Sequence, residues 1–291
     1  MTLPAASTRA ICRVLGVARS ALYRHQAEPD SVPIRPGDHE VLARMRELIE
    51  LHPTYGYRRI WALLRFGDGR AVNRKKVYRL MQTQGWMIHH RSVAPKPRVR
   101  RKKSVASRSN ERWALDATHI DCGQDGWGHL IAVIDCYDRA ILGWEFALRG
   151  RANEAERALE MACLARFGTL RPQGEVPLIR SDNGLIFQSR RFREACRFYR
   201  LPQEFITPYT PEQNGLIERF FRSGALWAKE ECVWQQSFGT FADAQAAIRG
   251  WIQWYNESRP HQALGYRSPQ QYIQFHGEAP PDPPNECLRA A

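Results

Sequence analysis

The chain has no Cys-x-x-Cys pair, no apolar run near the roughly 18 residues a membrane-spanning helix needs, and little acid in its first third. Its seven cysteines, at 12, 122, 136, 163, 196, 232 and 287, are scattered and odd in number. A disulfide framework and a cysteine-ligated zinc site are therefore not expected. The nine histidines include the adjacent pair His89-His90 but no His/Cys pattern at zinc-finger spacing, so no structural metal is expected. The first residues, MTLPAASTRA, lack the apolar core of a signal peptide, and the expected location is cytoplasmic, with no membrane partner. A hydrophobic content of 43% with 11% aromatics excludes a disordered chain.

The shortage of acid is local. Residues 1–110 carry 23 Lys/Arg against 7 Asp/Glu, a net +16, whereas the remainder carries 20 against 23, a net −3. A basic arm joined to a near-neutral body suggests that the arm meets a polyanion while the body does something else.

Ser7 to His25 reads as two short helices around Gly16, and residues 26–37, with three prolines and one glycine, read as a linker. Asp38 then stands where it would cap a helix whose apolar positions Val41, Leu42, Met45, Leu48 and Ile49 recur at helical spacing. RRIWALLRF, a turn at GDGR and VNRKKVYRLMQTQGW repeat the plan of helix, turn and basic helix. Arg74, Lys75, Lys76 and Arg79 on the second helix are the candidate DNA contacts, although such a run can also be a solvated face. Residues 91–110 hold eight positive charges, no negative ones and two prolines, and are expected to be a flexible basic linker.

From Glu111 the pattern changes. RWALDATHI, HLIAVIDCY and AILGWEFAL are three consecutive strand candidates, as in an antiparallel meander. ANEAERALEMACLARF reads as a helix, VPLIRSD as a strand, SRRFREACRFYR as a helix and QEFIT as a strand. Helices are then expected through 212–231, 240–257 and 268–276, giving a mixed sheet with helices on its faces.

Three carboxylates stand out. Asp116 sits in mid-strand, where aspartate is depleted; Asp182 ends a later strand in IRSDNG; Glu218 lies on a helix among Leu216, Ile217, Phe220 and Phe221. Each has a structural alternative: Asp182 as a turn-former before Asn-Gly, Glu218 as a partner of Arg222, Asp116 as a paired core acid. Asp135 and Asp138 are weaker candidates, with Asp138-Arg139 reading as a turn. Carboxylate oxygens without a Cys or His ligand cluster favour Mg²⁺, with Mn²⁺ as a substitute. Two such ions supply both a nucleophile and leaving-group stabilisation in phosphodiester chemistry.

WALDATHI, IRSDNGLIF, TPYTPEQNGLIERFF and WYNESRPHQALGYRSPQQY resemble the DDE transposases of bacterial insertion sequences, most of all the downstream-frame protein of the IS-three family, a relative of retroviral integrases. The resemblance runs from about residue 38 to 275, and the 35 residues between Asp182 and Glu218 are specific to it. It implies an α/β fold: an RNase H-like mixed sheet flanked by helices, preceded by a small all-α helix-turn-helix region. Residues 1–27 would be a short helix-turn-helix-like segment and 38–90 the DNA-binding module. The basic linker would follow at 91–110, the catalytic core at 111–231 and a C-terminal helical extension at 232–278. The resemblance carries the metal-binding, catalytic triad onto Asp116, Asp182 and Glu218; around it Thr118, His119, Asn183, Tyr209, Gln213 and Asn214 are candidates for orienting ligands or DNA.

One feature departs from the family. A Lys or Arg usually lies seven residues after the glutamate, where this chain has Ala225; Lys229, eleven after Glu218, is the displaced candidate DNA contact. The implied activity is Mg²⁺-dependent cleavage and strand transfer at insertion-sequence ends. The implied partners are the terminal repeats and target DNA, at least a second copy of the chain, and an upstream-frame protein. The implied setting is the nucleoid. A nuclease of the same fold and a catalytically impaired DNA-binding regulator are the alternatives.

Overall fold

The structure, a computed structural model, describes residues 8–14, 16, 35–88, 106–206 and 237–277. The chain divides into two compact units, residues 1–89 and 90–291.

In the first unit, helix α1 (Thr8–Val14) stops before Gly16, which has φ +65. The second helix expected before His25 lies outside the described residues. Three helices then share one small core: α2 (His39–Leu51), α3 (Tyr57–Ala62, continued by a π-turn over Leu63–Gly67) and α4 (Arg74–Thr83). Val41, Met45 and Leu48 of α2, Ile60 and Leu64, and Val77, Leu80 and Met81 of α4 are all buried, at helical spacing. The turn between α3 and α4 is fastened to α2 by Arg44–Asp68 (2.8 Å) and Arg70–Glu40 (2.7 Å). Trp61 Nε1 donates to the Val72 carbonyl (2.8 Å), and the Asn73 side chain caps α4 by accepting from the Lys75 N–H (2.8 Å).

Asp38 does not cap α2 through its side chain. Its carboxylate is buried and turns the other way, accepting from the Arg35 N–H and pairing with Lys76 (2.9 Å) and Arg79 (2.7 Å) of α4.

The second unit is built on a five-stranded sheet of order β3-β2-β1-β4-β5. Its strands are β1 (Arg112–Asp121), β2 (Trp127–Asp135), β3 (Ile141–Ala147), β4 (Leu178–Ser181) and β5 (Gln203–Phe205). The first three form the expected antiparallel meander, while β4 and β5 join β1 in parallel. Helix α5 (Ala152–Phe167) links the two halves; α6 (Leu185–Gln188) and α7 (Arg190–Phe198) join β4 to β5; α8 (Phe241–Glu257) and α9 (Pro269–Gly277) follow.

Strand alternation sorts the core into two layers. Trp113, Leu115, Ile131, Val133, Leu142 and Ile179 face α5 and α7, meeting Ala155, Ala158, Leu159, Phe192 and Cys196. Ala114, Ile120, Leu130, Ala132, Ile134 and Phe146 face α8, meeting Ala244, Ile248, Trp251 and Tyr255. Gly143 is a glycine for packing: a Cβ there would stand 2.1 Å from the Ala158 carbonyl oxygen, so α5 crosses β3 in direct backbone contact. A mixed sheet with three antiparallel and two parallel members, helices on both faces and a helical unit ahead of it is the RNase H-like arrangement that the resemblance implies.

The end of the basic stretch is built into this unit. Ala106 is buried in the α8 layer, Ser109 Oγ donates to Asp138 (2.7 Å) and the Asn110 N–H donates to Asp135 (2.7 Å). Helix α8 is fastened at both ends. The Phe241 N–H donates to Asp125 at the β1–β2 turn (2.7 Å), while the Asn256 side chain bonds both the N–H and the carbonyl of Ile141 (2.9 Å each).

Candidate active site

The register between β1 and β4 decides where the acids fall. Trp113 pairs with Ile179 and Ala114 with Arg180, in parallel. Carried forward by two residues, that register sets Asp116 level with Asp182, just where β4 ends at Ser181. Adjacent strands lie about 4.8 Å apart, so two acids 66 positions apart in sequence are rooted side by side. Alternation gives both the face of Ala114 and Arg180, the α8 face. Both are half-buried rather than enclosed.

Each carboxylate is steadied by a local backbone donor. The Ala117 N–H donates to Asp116 Oδ1 (2.8 Å) and the Gly184 N–H to Asp182 Oδ1 (2.9 Å). Asp182 does form the turn expected of an Asp before Asn-Gly, and that turn leaves its Oδ2 without a hydrogen bond among the described residues. Gly184 has an ordinary φ of −63; what it lacks is room, since a Cβ would stand 2.8 Å from Asp182 Oδ1.

Two half-buried acids, offering oxygen donors, suit a hard divalent cation. Among the described residues no three His, Cys, Asp or Glu come together as a metal site. Glu218, with Tyr209, Gln213, Asn214 and Lys229, lies in 207–236, outside the described residues. Just past β5 the Ile206 N–H donates to the Ser181 carbonyl (3.1 Å), and Asn183 Nδ2 donates to the Ile206 carbonyl (2.9 Å). Asn183 is thus a brace between the Asp182 loop and the end of β5.

The other expected residues separate. Thr118 follows Asp116 on the α8 face. His119 falls on the opposite face, where its ring meets that of His129 edge-on at 4.5 Å. Asp135 and Asp138 are fully buried and serve the fold: both face Arg166, and Asp135 also accepts from the Tyr137 N–H (2.7 Å). Burial, with the adjacent Asp138 charge, pushes the Asp135 carboxyl up to about 6, against hydrogen bonds from Asn110 and Tyr137 and the charge of Arg166. The turn expected at Asp138-Arg139 is present, with Arg139 at φ +67.

Residues not foreseen also share the α8 face. Arg180, two positions before Asp182, is buried, and its Nε and Nη2 both donate to Glu204 of β5 (3.0 and 2.7 Å). Period-two counting back from Asp182 could have marked Arg180; its partner depends on the β4–β5 pairing and could not be read locally. Arg259 is fully enclosed, with its guanidinium over Tyr255 (5.4 Å) and against His261 (3.4 Å). The motif WYNESRPHQALGY therefore fastens helix and sheet through Asn256 and buries Arg259.

In the first unit the four candidate DNA contacts divide. Lys76 and Arg79 are engaged by Asp38, whereas Arg74 and Lys75 are exposed at the start of α4. A groove lined by Arg35, Asn73, Lys75 and Lys76 lies on one side of this helix start. Another, lined by Trp61, Arg65, Arg74 and Lys75, lies on the other side. No described helix is long and apolar enough to cross a membrane.

Comparison with known proteins agrees with this architecture. The integrase core domain family matches residues 106–211 and again 199–269, and an HTH-like domain matches residues 37–91. Transposase InsD for insertion element IS2A/D/F/H/I/K of Escherichia coli is 31% identical over 242 residues, covering 81% of this chain and 79% of that protein. The insertion element IS2A uncharacterized 48.2 kDa protein of Escherichia coli is also 31% identical, over 257 residues and 86% of this chain, but the chain spans only 59% of its length. A chain from the simian T-cell lymphotropic virus intasome in complex with PP2A regulatory subunit B56 gamma superposes with a TM-score of 0.51 at 16% identity. That match covers 85% of this chain and 80% of the other, and at such identity the likeness is one of fold.

Proposed function

The chain belongs to the insertion-element transposases that carry an integrase core, and from that premise we propose that it cuts and joins DNA at element ends through an acidic triad of Asp116, Asp182 and Glu218. The observation that supports this reading is the parallel β1–β4 register, whose last pair, Ala114 with Arg180, lies two residues before each acid on its own strand.

Asp116 and Asp182 would hold the divalent ions from the strand side, and Glu218 would complete the set from the segment that follows β5. When bound, Mg²⁺ ions, two of them and replaceable by Mn²⁺, supply an activated water or 3′-hydroxyl and stabilise the departing oxygen. The protein's part is to fix the carboxylates: the backbone donors at Ala117 and Gly184 hold Oδ1 of Asp116 and of Asp182, which would orient both groups before metal arrives. Thr118, Tyr209, Gln213 and Asn214 would orient DNA or the triad nearby. Arg74 and Lys75, with Lys229, would contact phosphates. Two element ends must be brought together, so the working form is at least a dimer, acting on cellular DNA in the cytoplasm and joined by an upstream-frame partner.

A strand-transfer assay with pre-cut element ends tests the reading. Joined product that requires Mg²⁺ supports it. Nicked but never joined DNA identifies a nuclease instead, and bound but unaltered DNA identifies a regulator, the outcome that the displaced Lys229 would favour.

Gly184 offers a finer check. Gly184→Ala is expected to push the Asp182 carboxylate off its present position, because the new methyl stands 2.8 Å from Oδ1. Mn²⁺ affinity measured by calorimetry should fall about 10- to 100-fold, as for other changes to groups that orient metal ligands, while the melting temperature stays nearly constant. Unchanged Mn²⁺ affinity would show that Asp182 does not hold metal in this position.

A further inference from the structure

Residues 111–291 carry their charge near balance, 20 Lys/Arg against 23 Asp/Glu, yet one helix among them does not. Of the eleven residues 190–200 of α7 and its end, five are arginine and one is glutamate. Phe192, Ala195, Cys196 and Tyr199 are buried against the sheet, which turns the arginines outward. Arg190 is held by Glu194 (2.8 Å) and Arg191 by Glu156 of α5 (2.9 Å). Arg193, Arg197 and Arg200 are exposed and make no ion pair with any described residue. Four and three positions separate them, so they follow one side of the helix and its C-terminal turn. Beside them Phe198 is 60% exposed, with the guanidinium of exposed Arg171 over its ring at 5.1 Å.

Like charges on successive turns repel, by about 0.2–0.5 kcal/mol for each neighbouring pair, and the charge of Glu194, already bonded to Arg190, is the one acid the described fold sets near them, beside Arg197. An external polyanion favours the arrangement. The cations are all arginines, whose planar fork matches phosphate oxygens and is weakly hydrated. An exposed aromatic stacked on one of them adds a surface for sugar or base edges. Helix α7 also follows the Asp182 turn in the chain after only the short α6, with Ser189 as its cap.

We propose that the arginine face of α7, with Arg171 and Phe198, is a second DNA-backbone contact, carried by the catalytic core and independent of sequence. It rests on the reading of the chain as a DNA-processing enzyme and adds to it a surface that the charge balance of residues 111–291 hides.

The test measures DNA binding by the full-length chain, using fluorescence anisotropy with an element-end duplex and a random duplex across a salt series. The triple variant Arg193→Gln/Arg197→Gln/Arg200→Gln is expected to flatten the slope of log affinity against log salt by about 2–3, equally on both duplexes. The double variant Arg190→Gln/Arg191→Gln, which removes arginines already engaged by acids, should change the slope by less than about 1. Arg171→Gln with Phe198→Ser, on neighbouring positions, should weaken both duplexes without altering the preference between them. If the triple variant keeps the parental slope, or if the double variant matches it, the face is not a DNA contact and an acidic protein becomes the candidate partner. Joining of pre-cut ends by the unaltered chain is read separately: its absence would overturn the transposase reading, whereas an unchanged slope overturns only the α7 contact.

Discussion

Asp182→Asn abolishes both strand cleavage and strand joining, by about a thousandfold or more, while the affinity for element-end DNA stays within a factor of about two. The substitution is chosen for what it keeps. Asparagine retains the oxygen that accepts from the Gly184 N–H, so the turn after β4 and the brace from Asn183 to Ile206 survive. What is lost is one negative charge and one hard oxygen on the open side. Metal-assisted stabilisation contributes several kcal/mol to such reactions, and each 1.4 kcal/mol is a factor of ten. Asp116→Asn follows the same logic, since the Ala117 N–H still finds its acceptor. DNA affinity is expected to persist because the exposed cations lie elsewhere, at Arg74, Lys75 and along α7. Gel assays of nicked and joined product, with anisotropy as the binding control, decide the matter. Near-parental joining by Asp182→Asn in Mg²⁺ would remove this residue from the site.

Much of the second unit was legible because its signals are local. A three-strand meander separated by short turns, then alternating helices and strands, can be counted from periodicity alone. An aspartate in mid-strand invites a question without reference to any other residue. The register that brings Asp116 level with Asp182 was not legible, because parallel pairing across a helical crossover leaves no trace in either strand. The place of His119 was legible and missed: strict alternation sets it on the face opposite Asp116, whereas Thr118 shares that face. Arg166 closes over Asp135 and Asp138 from a helix some thirty residues later, which no local pattern announces. The basic run of α4 shows the same limit. Four cations within six residues looked equivalent, yet two of them turn inward to an acid nearly forty residues earlier. Asp38 itself was read as a helix cap from its position; its backbone is helical (φ −94, ψ −24) rather than that of a cap, and two cations take its carboxylate instead.

Asp38→Ala is therefore expected to unfold the helical unit rather than to trim a helix end. The carboxylate is buried and receives one backbone N–H and two cationic side chains, and its loss leaves Lys76 and Arg79 facing each other over a small void. Both cations are partly exposed, which softens the penalty, and a cost of about 2–4 kcal/mol follows from the lost charge-assisted hydrogen bonds. A module of this length has only about 3–8 kcal/mol in all, so hydrogen exchange across 39–83 should accelerate strongly and DNA binding through Arg74 and Lys75 should weaken with it. The pH dependence separates charge from shape. Burial alone would raise the Asp38 carboxyl, but hydrogen bonds from Lys76, Arg79 and the Arg35 N–H, with the Lys76 charge, outweigh it and hold the group well below the usual range. The stabilisation it provides is thus present above the unfolded value of about 3.9 and is lost as pH falls below it. Asp135 in the second unit has the opposite sign: raised to about 6, it binds its proton more tightly folded than unfolded, so its contribution weakens as pH rises from about 4 to 6. Exchange measured at pH 7, 5 and 3 on the parent and Asp38→Ala should show a wide gap across 39–83 at the two higher values, narrowing at pH 3 as the parent loses what the variant never had. A gap of constant width would mean that Asp38 acts by filling space and by its neutral hydrogen bonds, and the ion pairs with Lys76 and Arg79 would then contribute nothing to holding α4 against α2.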